Sequence, residues 1–211
     1  MALTLPFFPL SLVAFPGERV NLHIFEPRYR ELFADLQSGD PTFVIVPHVD
    51  GRLRSMGTVM RLVDVVKTYD SGELDVVSLG TDVARVESFL DPLPTKLYAG
   101  GDVEPSPQRM LGTDIDQAEL LLERSRDLML ALGVHHDLPD ASQSGLSFRL
   151  GHRVGLTPKQ EYRLLTIEGE DERQGFLLKS IERSIRAAER TAALKRKIEM
   201  NGHFRYVRNG E

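Results

Sequence analysis

The chain has 211 residues, 41% of them hydrophobic and 27% charged, with a formal net charge of −5. This is the balance of an ordinary globular protein, long enough for one large domain or two small ones. It has no cysteine, which excludes disulfides, thiolate-bound zinc, iron–sulfur centres and a thiol nucleophile.

The first stretch, Met1–Ser11, has no basic leader, and Pro6 and Pro9 interrupt its apolar run, so no signal peptide is expected. No apolar run approaches the roughly 18–20 residues that a membrane-spanning helix needs. The expectation is a soluble, cytoplasmic protein. Pro16-Gly17 reads as a turn, and His23, between Leu22 and Ile24, as a core or cross-strand hydrogen-bonding residue. A short helix follows. Pro27 suits its first turn, Tyr29, Leu32, Phe33 and Leu36 recur at helical spacing, and Gly39 is expected to end it in the left-handed conformation.

Residues 42–47, 57–67, 73–79, 82–89 and 96–104 are short Val- and Leu-rich segments that read as strands. They are separated by turn signals at Asp50-Gly51, Asp70-Ser71-Gly72 and Asp91-Pro92. Between 59 and 66 apolar residues occupy both parities, as in a strand covered on both faces. A closed barrel with something packed outside it would explain that pattern.

After Glu104 the composition turns helical through Pro105, Pro107 and Gly112, and we place a domain boundary there. Ala118, Leu121, Leu122, Leu128, Met129 and Leu132 form one apolar stripe, with a capping box expected at Asp114/Gln117 and a stop at Gly133. Thr157-Pro158-Lys159-Gln160 is a second, clearer box. The acidic run Glu168-Gly169-Glu170-Asp171-Glu172 then opens a last helix with a seam of Leu178, Ile181, Ile185, Ala188 and Ala192. Running from 171 to 200 it would extend about 45 Å. The expected fold is therefore α+β: a β-barrel with one embedded helix over 1–104, then a helical bundle over 113–211 with a long terminal helix.

Little in the chain points to catalysis. There is no GxxxxGK[ST] loop, no dinucleotide fingerprint after Gly100-Gly101 and no GxSxG elbow at Ser144-Gly145. Lys179 and Ser180 are adjacent on a helix and point apart. His135 and His136 read as loop residues without metal-ligand spacing, and Asp64 with Asp75, which could face each other across a hairpin, is assigned no role. No catalytic residue, metal or cofactor is expected. Net negative charge argues against nucleic acid, because phosphate binding needs clustered cations. The basic residues Lys179, Arg183, Arg186, Arg190, Lys195, Arg196, Lys197, Arg205 and Arg208 are read first as the solvated C-terminal face of a helix.

The runs Leu5-Pro6-Phe7-Phe8-Pro9-Leu10, Phe15-Pro16-Gly17 and Leu22-His23-Ile24-Phe25-Glu26-Pro27-Arg28-Tyr29 resemble the opening signature of Lon-protease N-terminal, substrate-binding domains, especially small bacterial proteins made of that domain alone. Gly57-Thr58, Gly80 before Val83-Ala84-Arg85-Val86, and Phe148-Arg149-Leu150 resemble its continuation. The resemblance implies a PUA-like pseudo-barrel and a helical bundle that recognise polypeptide, without the ATPase and Ser-Lys protease modules of full-length Lon. The expected partner is an unfolded or specific polypeptide, with an ATP-dependent protease as a candidate partner for an adaptor. The long helix offers a surface for self-association. Phe7, Phe8, Phe15 and Tyr98 are the candidate peptide-binding residues, chosen for size and position. The alternative is RNA binding, which PUA-like barrels elsewhere perform.

Overall fold

The computed structural model describes residues 3–206, with side chains except at positions 192, 195, 196 and 198–206. Arg208, counted above among the late basic residues, lies outside the described residues. In chain order come β1 (Leu3–Leu10), β2 (Arg19–Ile24), α1 (Pro27–Ser38), β3 (Thr42–Val49), β4 (Arg52–Leu53), β5 (Met56–Thr68), β6 (Leu74–Val86) and β7 (Gly100–Ser106). The helices α2 (Ile115–Leu132), α3 (Leu146–Gly151), α4 (Pro158–Leu165) and α5 (Glu170–Tyr206) follow.

Five strands close a ring in the order β1-β7-β6-β5-β3, because β1 also pairs in parallel with β3 at Phe7↔Val44. Closure covers the edges of those strands where they pair within the ring, while the end of β5 beyond Leu62 pairs with β6 alone. Two strands lie outside the ring. β4 hangs from β3 through a tight turn in which Asp50 and Gly51 both have positive φ, 54° and 72°. β2 pairs with the first half of β6, from Arg19↔Leu79 to Ile24↔Leu74, whereas the second half of β6 pairs with β7. The segments expected as separate strands at 73–79 and 82–89 are thus largely one strand, β6, which changes neighbour at Gly80.

Every ring strand contributes to a cluster of Leu5, Phe7, Val44, Val46, Val59, Ala84 and Val103, which marks it as the barrel interior. The opposite parity of β1 and β3, with Phe8, Phe43 and Ile45, packs on Tyr29, Leu32, Phe33 and Leu36 of α1. Both parities are therefore covered, on β5 as well, where Met60 is buried and Val59 partly so. Farther along that strand the cover ends, and Val63 and Val66 are exposed. α1 begins at Pro27 as read from the sequence, but Gly39 after it has φ −131°, so the helix does not end in a left-handed residue.

A third cluster joins the two halves of the chain. Val13, Phe15, Val49 and Val83 of the barrel meet Leu121, Leu128, Phe148, Leu164, Leu177 and Ile181 of the helices. α4 has both halves of its box, Thr157 with Gln160. α2 has one half only. The Asp114 side chain accepts from the Gln117 N–H, but the Gln117 amide reaches Asp171 O instead of turning back. Gly133 ends α2 at φ 67°, while Leu132 is exposed and lies off the stripe. On α5 the buried seam is Leu177 and Ile181, with Leu178 and Ile185 partly covered. Ala188 is half-buried, and the Ala192 side chain lies outside those described. Lys179, Arg183, Arg186, Arg190 and Lys197 are exposed on this helix, and the side chains of Lys195, Arg196 and Arg205 lie outside those described.

Candidate functional site

The turn Phe15-Pro16-Gly17-Glu18 sets the site's geometry. Proline supplies the fixed φ of the second position and Gly17 the positive φ, 82°, of the third, and Glu18 N donates to Phe15 O (3.1 Å). Gly17 N then donates to Gly80 O (2.8 Å) and Gly80 N to Glu18 O (2.9 Å), the bonding of a bulge with glycine in its first position. Gly80 must be glycine for this approach, since a Cβ there would lie 2.3 Å from Phe15 O.

That bulge fixes which way β2 presents its backbone. Bonded and non-bonded pairs alternate along an antiparallel ladder, so after Glu18↔Gly80 the bonded residues are Val20, Leu22 and Ile24. Arg19, Asn21 and His23 therefore turn their N–H and C=O groups away from β6. Among the described residues nothing pairs with that edge. Among the described residues β2 thus keeps one edge open, as do the two-residue β4 and the end of β5 beyond Leu62.

Beside the C-terminal end of the open strand lies a groove of ≈ 190 Å³ lined by residues including Phe8, Leu10, Leu22, Phe25, Arg28 and Tyr29. No residue of β6 takes part, so the groove lies on the unpaired side. Phe25, at the junction of β2 and α1, is 58% exposed. Arg28 donates to Glu26 through Nε (2.9 Å) and Nη2 (2.8 Å), and its guanidinium lies 4.5 Å from the centre of the Tyr29 ring. Burial raises the Tyr29 phenol above its ordinary pKa, partly opposed by Arg28, so the ring enters the groove wall as a neutral group. On the outer face His23 Nδ1 meets Asp75 Oδ1 (2.7 Å) across the β2–β6 pair, and Tyr69 donates to Asp75 Oδ2 (2.7 Å). The bonds from His23 and then Tyr69 hold the Asp75 carboxyl below its usual range. This is the cross-strand role expected of His23. Asp64, by contrast, sits opposite Val77 rather than Asp75.

The sequence model of the ATP-dependent protease La (LON) substrate-binding domain matches residues 4–183. The chain belongs to that family. Among solved structures it is similar to a Lon N-terminal domain protein from Xanthomonas campestris, with 26% identity and a TM-score of 0.63, covering 83% of this chain and 97% of that one. The N-terminal domain of a Mycobacterium avium complex Lon protease has the same fold, at 18% identity and a TM-score of 0.59 over 85% of this chain and 98% of that one. No curated protein matches. The open strand and its groove are built from the segment that carries the family resemblance, Phe8 to Tyr29.

Within this LON-type fold the four aromatic residues chosen from the sequence are all buried. Phe7 is in the barrel interior and stacks on Phe89 at 5.6 Å. Phe8 meets Tyr29 edge-on at 4.2 Å and forms part of the groove wall. Phe15 stacks on Phe148 at 5.3 Å. Tyr98 donates to Asp35 Oδ2 (2.7 Å), tying the loop before β7 to α1. Only Phe8 borders the open strand. Phe25 does offer its ring, and the sequence does not single it out because a residue between a strand and a helix belongs to neither periodicity. Among the described residues no group of three His, Asp or Glu side chains could hold a metal, and no helix is long and apolar enough to cross a membrane.

Proposed function

We propose that this chain is a non-catalytic, cytoplasmic polypeptide-binding protein that takes an extended segment as an added strand along β2, with an apolar side chain in the Phe25 groove. The observation that carries the reading is the unpaired edge at Arg19, Asn21 and His23 beside that groove, in a chain of the LON substrate-binding family. Strand addition draws affinity from main-chain bonds and specificity from pockets for alternate side chains, which suits a receptor for unfolded segments. A role beside an ATP-dependent protease follows from the family description and is part of the same proposal.

Asn21→Pro tests it directly. The Asn21 N–H points away from β6, so proline there removes a donor from the open edge without taking a bond from the sheet. Anisotropy titration with a labelled, uncharged, apolar extended peptide is expected to show binding to the native chain. That binding should weaken by about ten-fold or more in N21P and in Phe25→Ser. Unchanged affinity in a folded N21P protein would sink strand addition.

A further inference from the structure

At the other end of β2, Arg19 borders a second hollow. It is a cleft of ≈ 490 Å³ between the Pro16–Arg19 turn and the helical half, lined also by Asp137, Phe148, Arg149, His152 and Arg153. Among the described residues none of its three arginines lies within ion-pair distance of a carboxylate. Two of them are nevertheless held in place. Arg149 Nε donates to Ser144 O (3.1 Å), and Arg153 donates to Asp137 O. Backbone carbonyls carry no net charge, so both guanidiniums are positioned with their charge uncompensated. His152 lies between Glu18 and Glu161, which keep it protonated at neutral pH against the opposing effect of burial. Set against Glu18, Glu161 and Asp137, the cleft keeps a positive excess in a chain whose net charge is −5.

We propose that this cleft is a second subsite, which receives the carboxylates of an acidic stretch in the polypeptide held by β2. The proposal rests on the strand-addition reading for its connection to β2. From Arg19 to Ile24 the open strand spans about 17 Å at ~3.4 Å per residue, so one extended segment reaches both the cleft and the Phe25 groove. Guanidinium groups match carboxylates in a two-pronged geometry that a single ammonium does not offer. Nucleic acid fits less well, because bases need a ring to stack on, and the cleft's Phe148 is buried against Phe15.

The test is anisotropy titration of the full chain with labelled pentaglutamate at low salt. Binding is expected, and Arg149→Gln/Arg153→Gln should weaken it by about ten-fold. The control Arg52→Gln/Arg61→Gln, which removes the same charge from exposed positions on β4 and β5, should leave it within about two-fold. Circular dichroism shows whether each variant is folded; if the R149Q/R153Q protein is not, Arg19→Gln replaces it. No binding by the native chain overturns the proposal, as does equal weakening in the cleft and control variants. Arginine-dependent binding of oligouridylate without binding of pentaglutamate would overturn it in favour of nucleic acid. Pentaglutamate has no apolar side chain, so the two readings fail separately. A chain that holds it but not the apolar peptide keeps the cleft and loses the groove.

Discussion

Arg173 is the largest fully buried side chain among the described residues, and it has no exposed surface. Its guanidinium donates to Glu170 Oε2 (2.7 Å), Ser147 Oγ (2.8 Å), Gln108 Oε1 (2.9 Å) and the carbonyls of Ile167, Glu168 and Arg109, and it lies 4.2 Å from the centre of the Phe148 ring. Burial lowers its pKa, but the bonds and charge of Glu170 oppose that shift. Removing one member of such a pair strands a buried charge, so Glu170→Ala is expected to cost about 3–5 kcal/mol in urea unfolding. Glu170→Gln, which keeps hydrogen-bonding atoms and loses the charge, should fall between Ala and native. A Glu170→Gln protein as stable as native would mean that the charge contributes nothing. The sequence hid this pair. Glu170 and Arg173 sit in a run of charges at a helix start, where the ordinary expectation is solvent. At Phe7, Phe15 and Tyr98 size is uninformative in the converse way, because a large ring in a strand or loop looks the same whether it packs inside or waits for a partner, and all three pack inside.

At the scale of elements, what could be read depended on whether the signal is local. α4 is specified by four adjacent residues and forms with both halves of its box. Thr157→Ala should therefore cost about 0.5–2 kcal/mol by the same unfolding measurement. A change of less than a few tenths would mean that packing of Leu164 and Leu165 alone holds the helix. The Asp114/Gln117 box failed in its second half because Gln117 finds a tertiary partner, Asp171 O (2.8 Å), which a local pattern cannot foresee. β1 does not read as a strand from its sequence, since Pro6 and Pro9 break its pattern. Pro6 is tolerated where the ladder changes partner, from β7 at Leu3–Pro6 to β3 at Phe7–Leu10, and Pro9 lies opposite Val46 in a stretch that pairs with β3 alone. The open edge of β2 likewise depends on a bulge opposite Gly80, some 60 residues away in the chain, so only the Pro16-Gly17 turn could be read in advance.

Over the whole molecule, the helical half serves as part of the barrel's cover. Val13, Phe15, Val49 and Val83 are buried in a cluster shared with the helices. A fragment ending at residue 112 would expose all four, and it is expected to unfold at markedly lower urea than the full chain and to bind a hydrophobic dye. A fragment as stable as the full chain would show that the shared core adds nothing. The same seam carries a charge. His152 Nε2 meets Glu18 Oε2 (3.2 Å) at the barrel's bulge, Nδ1 meets Glu161 Oε1 (2.8 Å) on α4, and the ring lies 4.7 Å from Phe15. Burial pushes its pKa down, but hydrogen bonds and charge from Glu161 and Glu18 outweigh that and raise it to about 9, against 6.5 for a free histidine. A pKa raised on folding means that the folded state binds the proton more tightly, so the stabilisation is complete below about pH 6.5 and is lost as pH climbs through about 9. Native protein should lose urea resistance across that window more steeply than His152→Gln, and the two curves should converge above it. Because the ring is partly open to solvent, salt should shrink the difference. Parallel curves from pH 6 to 10 would mean that His152 joins the two halves by packing on Phe15 rather than by its charge.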